Sequence, residues 1–235
     1  MNLAFETATI AEIVASDGRA ADVLEAFGID ACSSGRRAFL DACRSACADS
    51  AAVERALSAL PPQAGEDDVR SLGPSGLIDH ILGVHHAYLH ATLPAIERQL
   101  AALVAQHGAR HPELARVSAL FEQLSRELRR HLVKEEQVLF PYIRDLASQP
   151  PNGGSPSPFG TVENPIRMME REHGEVGEEL RLIRQLTQRY TPPPDACSTW
   201  RACYDELARL ERDLQRHVHL EDNVLFPAAI ELEQA

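Results

Sequence analysis

The chain has 235 residues, 44% hydrophobic and 25% charged, and its 35 acidic against 23 basic side chains leave a formal net charge of −12. That length can bury one large core or two smaller ones. The acidic balance removes most of the attraction to phosphate backbones that nucleic-acid binding uses, and no apolar run approaches the roughly 20 residues that span a bilayer.

The opening MNLAFETATIAEIVAS carries Glu6 and Glu12 and no basic cluster, so neither an export signal nor a transit peptide is expected, and the cytoplasm is the expected location. Residues 1–60 are Ala-rich and read as short helices over 8–15, 20–27, 36–48 and 51–60, punctuated by Gly28 and Gly35. PPQAGEDD then mixes Pro, Gly and acid. This predicts a small helical, Cys-containing domain over 1–60, a linker over 61–73, and a second domain over 74–235. The five cysteines are odd in number and widely spread, which argues against a disulfide framework. Cys43 and Cys47, one turn apart, are expected to face the small domain's core.

From Pro74 onward, apolar residues recur at helical spacing over roughly 75–107, 112–148, 162–190 and 196–233, with no alternating strand pattern to compete. Two short breaks and one long one between them predict an all-α, up-down-up-down four-helix bundle. Pro141 and Pro227 are expected to kink or end their helices.

Both prolines close a repeat. HLVKEEQVLFP from His131 and HVHLEDNVLFP from His217 share six of eleven positions at a separation of 86 residues, so the bundle reads as a duplicated helical hairpin with approximate two-fold symmetry. Each copy sets His and Glu four residues apart, on one helix face: His131 with Glu135, and His217 with Glu221. One His-x-x-x-Glu pair is commonly a solvated surface pair. Two copies in apolar surroundings require partners or a metal.

The repeat predicts matching donors on the first and third helices, and His86 and His173 lie 45 and 44 residues before the second and fourth. Four His and two Glu form a donor set for two six-coordinate ions, with each Glu able to bridge them. Mixed imidazole and carboxylate ligation with open positions favours iron or manganese over zinc, and two closed zinc sites would use more Cys. His80, His85, His90 and His219 are expected to lie behind the ligands or in solvent, and His107 and His111 at the surface. Asp79, Glu136, Glu172 and Asp222 could orient ligand imidazoles, although a solvated helix face is the expected place for such acids.

HLVKEEQVLFPYI, MMEREHGEVGEEL, YTPPPDACSTW and HVHLEDNVLFP together resemble the repair-of-iron-centres (RIC) family, whose bundle is hemerythrin-like. GRAADVLEAFGIDACSSG resembles that family's small N-terminal domain. The resemblance implies two non-haem iron ions, oxo- or hydroxo-bridged, held by His86, His131, His173 and His217 with Glu135 and Glu221 bridging. It implies bacterial cytoplasmic proteins of the nitrosative and oxidative stress response that repair iron–sulfur clusters, with iron donation as one route and damaged iron–sulfur proteins as partners. Some relatives associated with denitrification are described chiefly as binding nitric oxide, which gives a nitric-oxide-scavenging or -reducing protein as the alternative. A dioxygen carrier is disfavoured by the replacement of one usual histidine in that donor set and by the appended Cys-containing domain. Where the family has two adjacent cysteines followed by two glycines, this chain has Cys32-Ser33-Ser34-Gly35. A vicinal dithiol is therefore absent, and Cys32 could serve alone as a redox thiol or support a homodimer.

Overall fold

The computed structural model describes residues 5, 8–16, 20–29, 37–60, 69, 72–148 and 159–234, so Cys32, Gly35 and most of the expected linker lie outside the described residues. Two compact units emerge, Met1–Asp67 and Asp68–Ala235.

The small unit carries α1 (Ile10–Ser16), α2 (Ala20–Ala26), α3 (Phe39–Ser45) and α4 (Ser50–Ser58). Its core gathers Ile10, Ile13, Leu24, Ile29, Phe39, Val53 and Leu57. Gly28 takes φ +76°, and the Ile29 N–H returns to the Leu24 carbonyl, so the expected glycine cap closes α2. The end of α3 uses the same device without glycine. Cys47 adopts φ +54°, with its N–H on the Arg44 carbonyl and the Ala48 N–H on that of Cys43. Cys43 is buried as expected, whereas Cys47, in this left-handed cap, is turned out to solvent, which corrects the expectation for that residue.

Among the described residues, four rods form the second unit. Rod α5 runs through Pro74–His80, a π-helical turn Ile81–His86, and Ala87–His107. Rod α6 comprises Glu113–Lys134, a π-turn Glu135–Leu139, and Phe140–Ser148. Rod α7 is Glu163–Leu186, and α8 comprises Ser198–Leu220, a π-turn Glu221–Leu225, and Phe226–Gln234. Rod α6 packs against α5 and α7, and α5 against α8.

Pro141 and Pro227 do not break their rods. In each case the π-turn comes first: the Phe140 N–H reaches back five residues to the Glu135 carbonyl, and Phe226 to that of Glu221. The widened turn leaves room for a ring that would otherwise collide with the carbonyl four residues earlier. Rod α7 ends four residues before the expected limit. Gln188, Arg189 and Tyr190 all take left-handed φ of 49–58°, and the Thr187 hydroxyl accepts the Tyr190 N–H.

Two apolar clusters fill the bundle. The larger includes Leu89–Leu103 positions of α5, Leu114–Leu132 of α6, Val176–Ile183 of α7 and Trp200–Leu214 of α8. The smaller includes Leu77, Ile81, Leu139, Phe140, Ile166, Met169, Leu225 and Phe226. The candidate donors fall in the gap between them. His107 also departs from expectation: it is half-buried, with both ring nitrogens enclosed and its ring 5.2 Å from Trp200.

Glu179 on α7 is a buried carboxyl with Oε2 lacking a partner. Burial, aided by the charges of Glu127 and Glu175, pushes its pKa up to about 7. The unfolded chain therefore ionises first, and stability falls as pH rises from about 4.5 to 7. Glu179→Gln is expected to raise the melting temperature at pH 8 by about 2–4 °C, on the order of 1 kcal/mol after allowing for screening, and to leave it unchanged at pH 4.5. An equal shift at both pH values in a thermal melt would exclude the buried-charge explanation.

Candidate metal centre

The six predicted residues converge in one buried layer. Helical spacing explains the local part: His131 and Glu135 stand one turn apart on α6, and His217 and Glu221 on α8. The π-turns add the rest. They begin at Glu135 and at Glu221, and a third ends at His86, so three of the six residues sit where a rod widens. His173 lies in an unbroken α-helix.

Two donor groups share the two glutamates. His86, Glu135, His217 and Glu221 form one, and His131, Glu135, His173 and Glu221 the other, with one ligand atom from each member lying within 4.8 Å of the rest. Each carboxylate divides its oxygens between the groups. Glu135 sets Oε2 at 3.5 Å from His86 Nε2 and Oε1 at 3.0 Å from His131 Nε2. Glu221 sets Oε1 at 2.9 Å from His217 Nε2 and Oε2 at 3.2 Å from His173 Nε2. The imidazoles face each other in pairs, with 3.1 Å between Nε2 atoms of His86 and His217, and 3.1 Å between those of His131 and His173.

A pair of cations fits this arrangement. Glu135 and Glu221 have no exposed surface, and both oxygens of Glu135 and Oε2 of Glu221 lack any hydrogen bond. Buried carboxylates left so cost several kcal/mol each unless a positive charge meets them. Four inward Nε2 atoms and four inward oxygens supply two nitrogens and two oxygens to each position.

Carboxylates behind the imidazoles tilt the balance further. His86 Nδ1 lies 2.9 Å from Glu136, His131 Nδ1 3.0 Å from Glu172, and His173 Nδ1 2.9 Å from Asp222. Sequence alone favours a solvated helix face for these three acids; in the structure they orient the donors instead, and only Asp79 keeps to the surface, paired with Arg144. A signal for them exists in the repeat, since Glu136 and Asp222 occupy the same position, directly after each glutamate. Lys134 in turn contacts Glu172. His90 shares Glu136, and His219 meets Asn223, so neither joins the inner layer.

Burial disfavours the imidazolium of His173, yet Asp222 and Glu221 outweigh it and push its pKa up to about 10. His86 and His131 are raised in the same way, mainly by Glu135, and the neighbouring His217 and His173 hold Glu221 well below the usual carboxylate range despite its burial. Without an ion, protons fill the charge deficit of the layer. A cation entering must expel them.

Phe140 and Phe226 screen the layer on the side of the smaller cluster, with ring centroids 5.6 Å from His86 and 6.2 Å from His173. Between α6 and α7 a cleft of about 230 Å³ is lined by His131, Lys134, Glu172 and Glu175. Among the described residues no helix is long and apolar enough to cross a membrane.

Comparison with known proteins agrees with this arrangement. Residues 77–229 match the hemerythrin family, described as the hemerythrin HHE cation binding domain, and residues 6–61 match a domain of unknown function, DUF542. The iron-sulfur cluster repair protein YtfE of Escherichia coli O157:H7 is 33% identical over 229 residues, covering 97% of this chain and 99% of that protein. The proteins of the same name from Escherichia fergusonii and Escherichia coli O127:H6 match to the same extent.

Proposed function

Because the chain belongs to the repair-of-iron-centres family, we propose that it holds two non-haem iron ions and restores damaged iron–sulfur clusters in the cytoplasm by donating iron. The observation that carries this reading is the full-length likeness to proteins named for cluster repair, joined to a buried layer of six donors suited to two ions.

Under this reading His86 and His217 would hold one ion and His131 and His173 the other, with Glu135 and Glu221 shared between the two groups. Bound iron would supply a change of oxidation state and open positions for an exchangeable ligand. The chain's own groups do the rest. Glu136, Glu172 and Asp222 accept from Nδ1 and aim each Nε2 inward. Phe140 and Phe226 keep water from that face, which strengthens every charge interaction within. Ferrous cargo carries one charge fewer per ion than ferric, so the two glutamates attract it less, and reduction favours delivery.

The open positions also suit nitric oxide, and the test separates the two uses. Chain loaded anaerobically with two equivalents of ferrous iron is mixed with a [4Fe–4S] dehydratase damaged by nitric oxide. Loss of iron from the chain, seen by Mössbauer spectroscopy, together with recovered dehydratase activity is the expected result. Retention of both ions as a stable nitrosyl, or release of nitrous oxide without recovery, would overturn donation in favour of nitric-oxide binding or reduction.

A further inference from the structure

The two halves of the repeat are not equivalent. Residue by residue, the His131–Glu172 pair between α6 and α7 corresponds to a pair between α8 and α5, His217 with the residue directly before His86. In the second half the residue before the ligand histidine is Glu172; in the first half it is His85. That exchange removes an acceptor from the layer. His217 Nδ1 is buried and has no hydrogen-bond partner, whereas the Nδ1 atoms of His86, His131 and His173 each meet a carboxylate.

His85 fills the space without filling the role. It is 1% exposed, and its ring lies flat on that of His217, with centroids 5.4 Å apart and planes 3° from parallel. Its own Nδ1 is committed to Asp213 at 3.0 Å, and its Nε2 is buried without a partner. On its Nδ1 side, packing alone therefore holds the His217 imidazole. With Nε2 given to a metal, a neutral His217 carries its proton on Nδ1, where no acceptor waits.

We infer that His85 is a positioning residue that makes the two metal positions unequal, the one held by His86 and His217 being the weaker. A carboxylate on the far nitrogen fixes the ring and makes the near nitrogen a better donor, and losing such a partner costs about 10- to 100-fold in metal affinity. The position of His131 and His173 has two imidazoles so supported; the position of His86 and His217 has one.

The inference rests on the two-ion reading of the centre, and the test keeps the two apart. His173→Ala and His86→Ala, equivalent substitutions in the repeat, each cripple one position and leave the other complete. Each variant is titrated anaerobically with ferrous iron against a coloured ferrous chelator. The ion left in His173→Ala is expected to bind about 10- to 100-fold more weakly than the ion left in His86→Ala. Adding His85→Glu should recover at least about tenfold in the first background and nothing in the second. If that variant does not fold, as judged by circular dichroism, Glu172→Gln in the His86→Ala background gives the converse: affinity should fall to the level of the weaker position.

Equal affinities in the two single variants, or a response to His85→Glu in both backgrounds or in neither, would overturn the inequality while leaving the two-ion centre standing. Fewer than two ions bound by the unaltered chain would overturn both.

Discussion

Glu135→Ala is expected to weaken both metal positions at once, whereas His173→Ala weakens one. The difference arises from the division of oxygens: Glu135 presents Oε2 toward His86 and Oε1 toward His131. A protein metal site of four ligands is worth about 10–16 kcal/mol, so one lost ligand costs about 3 kcal/mol, or roughly 100-fold, at each ion. Iron retained through gel filtration should fall from two equivalents to well below one. Glu135→Gln, which keeps the volume and discards the charge, should behave alike. The metal-free protein should lose stability as well, because the imidazoles of His86 and His131 lose the carboxylate that faces them inside the bundle. Loss of iron with an unchanged helical circular-dichroism spectrum separates removal of a ligand from damage to the bundle. Two equivalents of iron retained by Glu135→Ala would remove Glu135 from the centre.

Metal loading should be the largest single contribution to the stability of the bundle. An ion present at about 1,000 times its dissociation constant adds about 4 kcal/mol, and a unit of this size gains about 2–4 °C per kcal/mol. Two ions should therefore raise the melting temperature by more than about 15 °C. The gain should increase with pH. In the metal-free fold the raised His173 pKa, about 10, contributes stability that is complete below the unfolded value near 6.5 and is lost as pH rises through the folded value. An ion replaces that proton, so the loaded fold escapes the loss. Calorimetric scans with and without ferrous iron at pH 6.5 and 8.5 should show the wider separation at pH 8.5; a separation of only a few degrees, or one that narrows with pH, would contradict the described charge balance.

The main features of the bundle and the convergence of its six donors are legible in the sequence because both rest on periodicity. Four-residue spacing fixes which side chains share a helix face, and the 86-residue repeat relates the faces of α6 and α8. What periodicity does not encode is a change of helix type. The π-turns at Glu135 and Glu221 depend on which carbonyl an amide chooses, a choice settled by packing, and so Pro141 and Pro227 read as breaks. Cys47 and the run Gln188 to Tyr190 adopt left-handed conformations without glycine, so no residue type announces the end of α3 or of α7. The carboxylates behind the imidazoles are visible as residues but not as partners, since acids next to a ligand on a helix are as common on a wet face. His85 needs coordinates: only the orphaned nitrogen of His217 shows that something is missing there.

The π-turns have a consequence for the apolar stripes above and below the ion layer. An α-helix advances about 100° per residue, and a turn that holds one additional residue delays the next helical segment by that angle. Leu132 and Phe140, eight residues apart, would diverge by about 80° on an unbroken helix, and the delay brings them to within about 20°, so the stripe of Leu124, Leu128 and Leu132 continues into Phe140 and Ile143 on one face. Rods α6 and α8 behave as pairs of shorter helices spliced so that one apolar face runs across the ion layer, with the splice held in place by the residue that binding needs most.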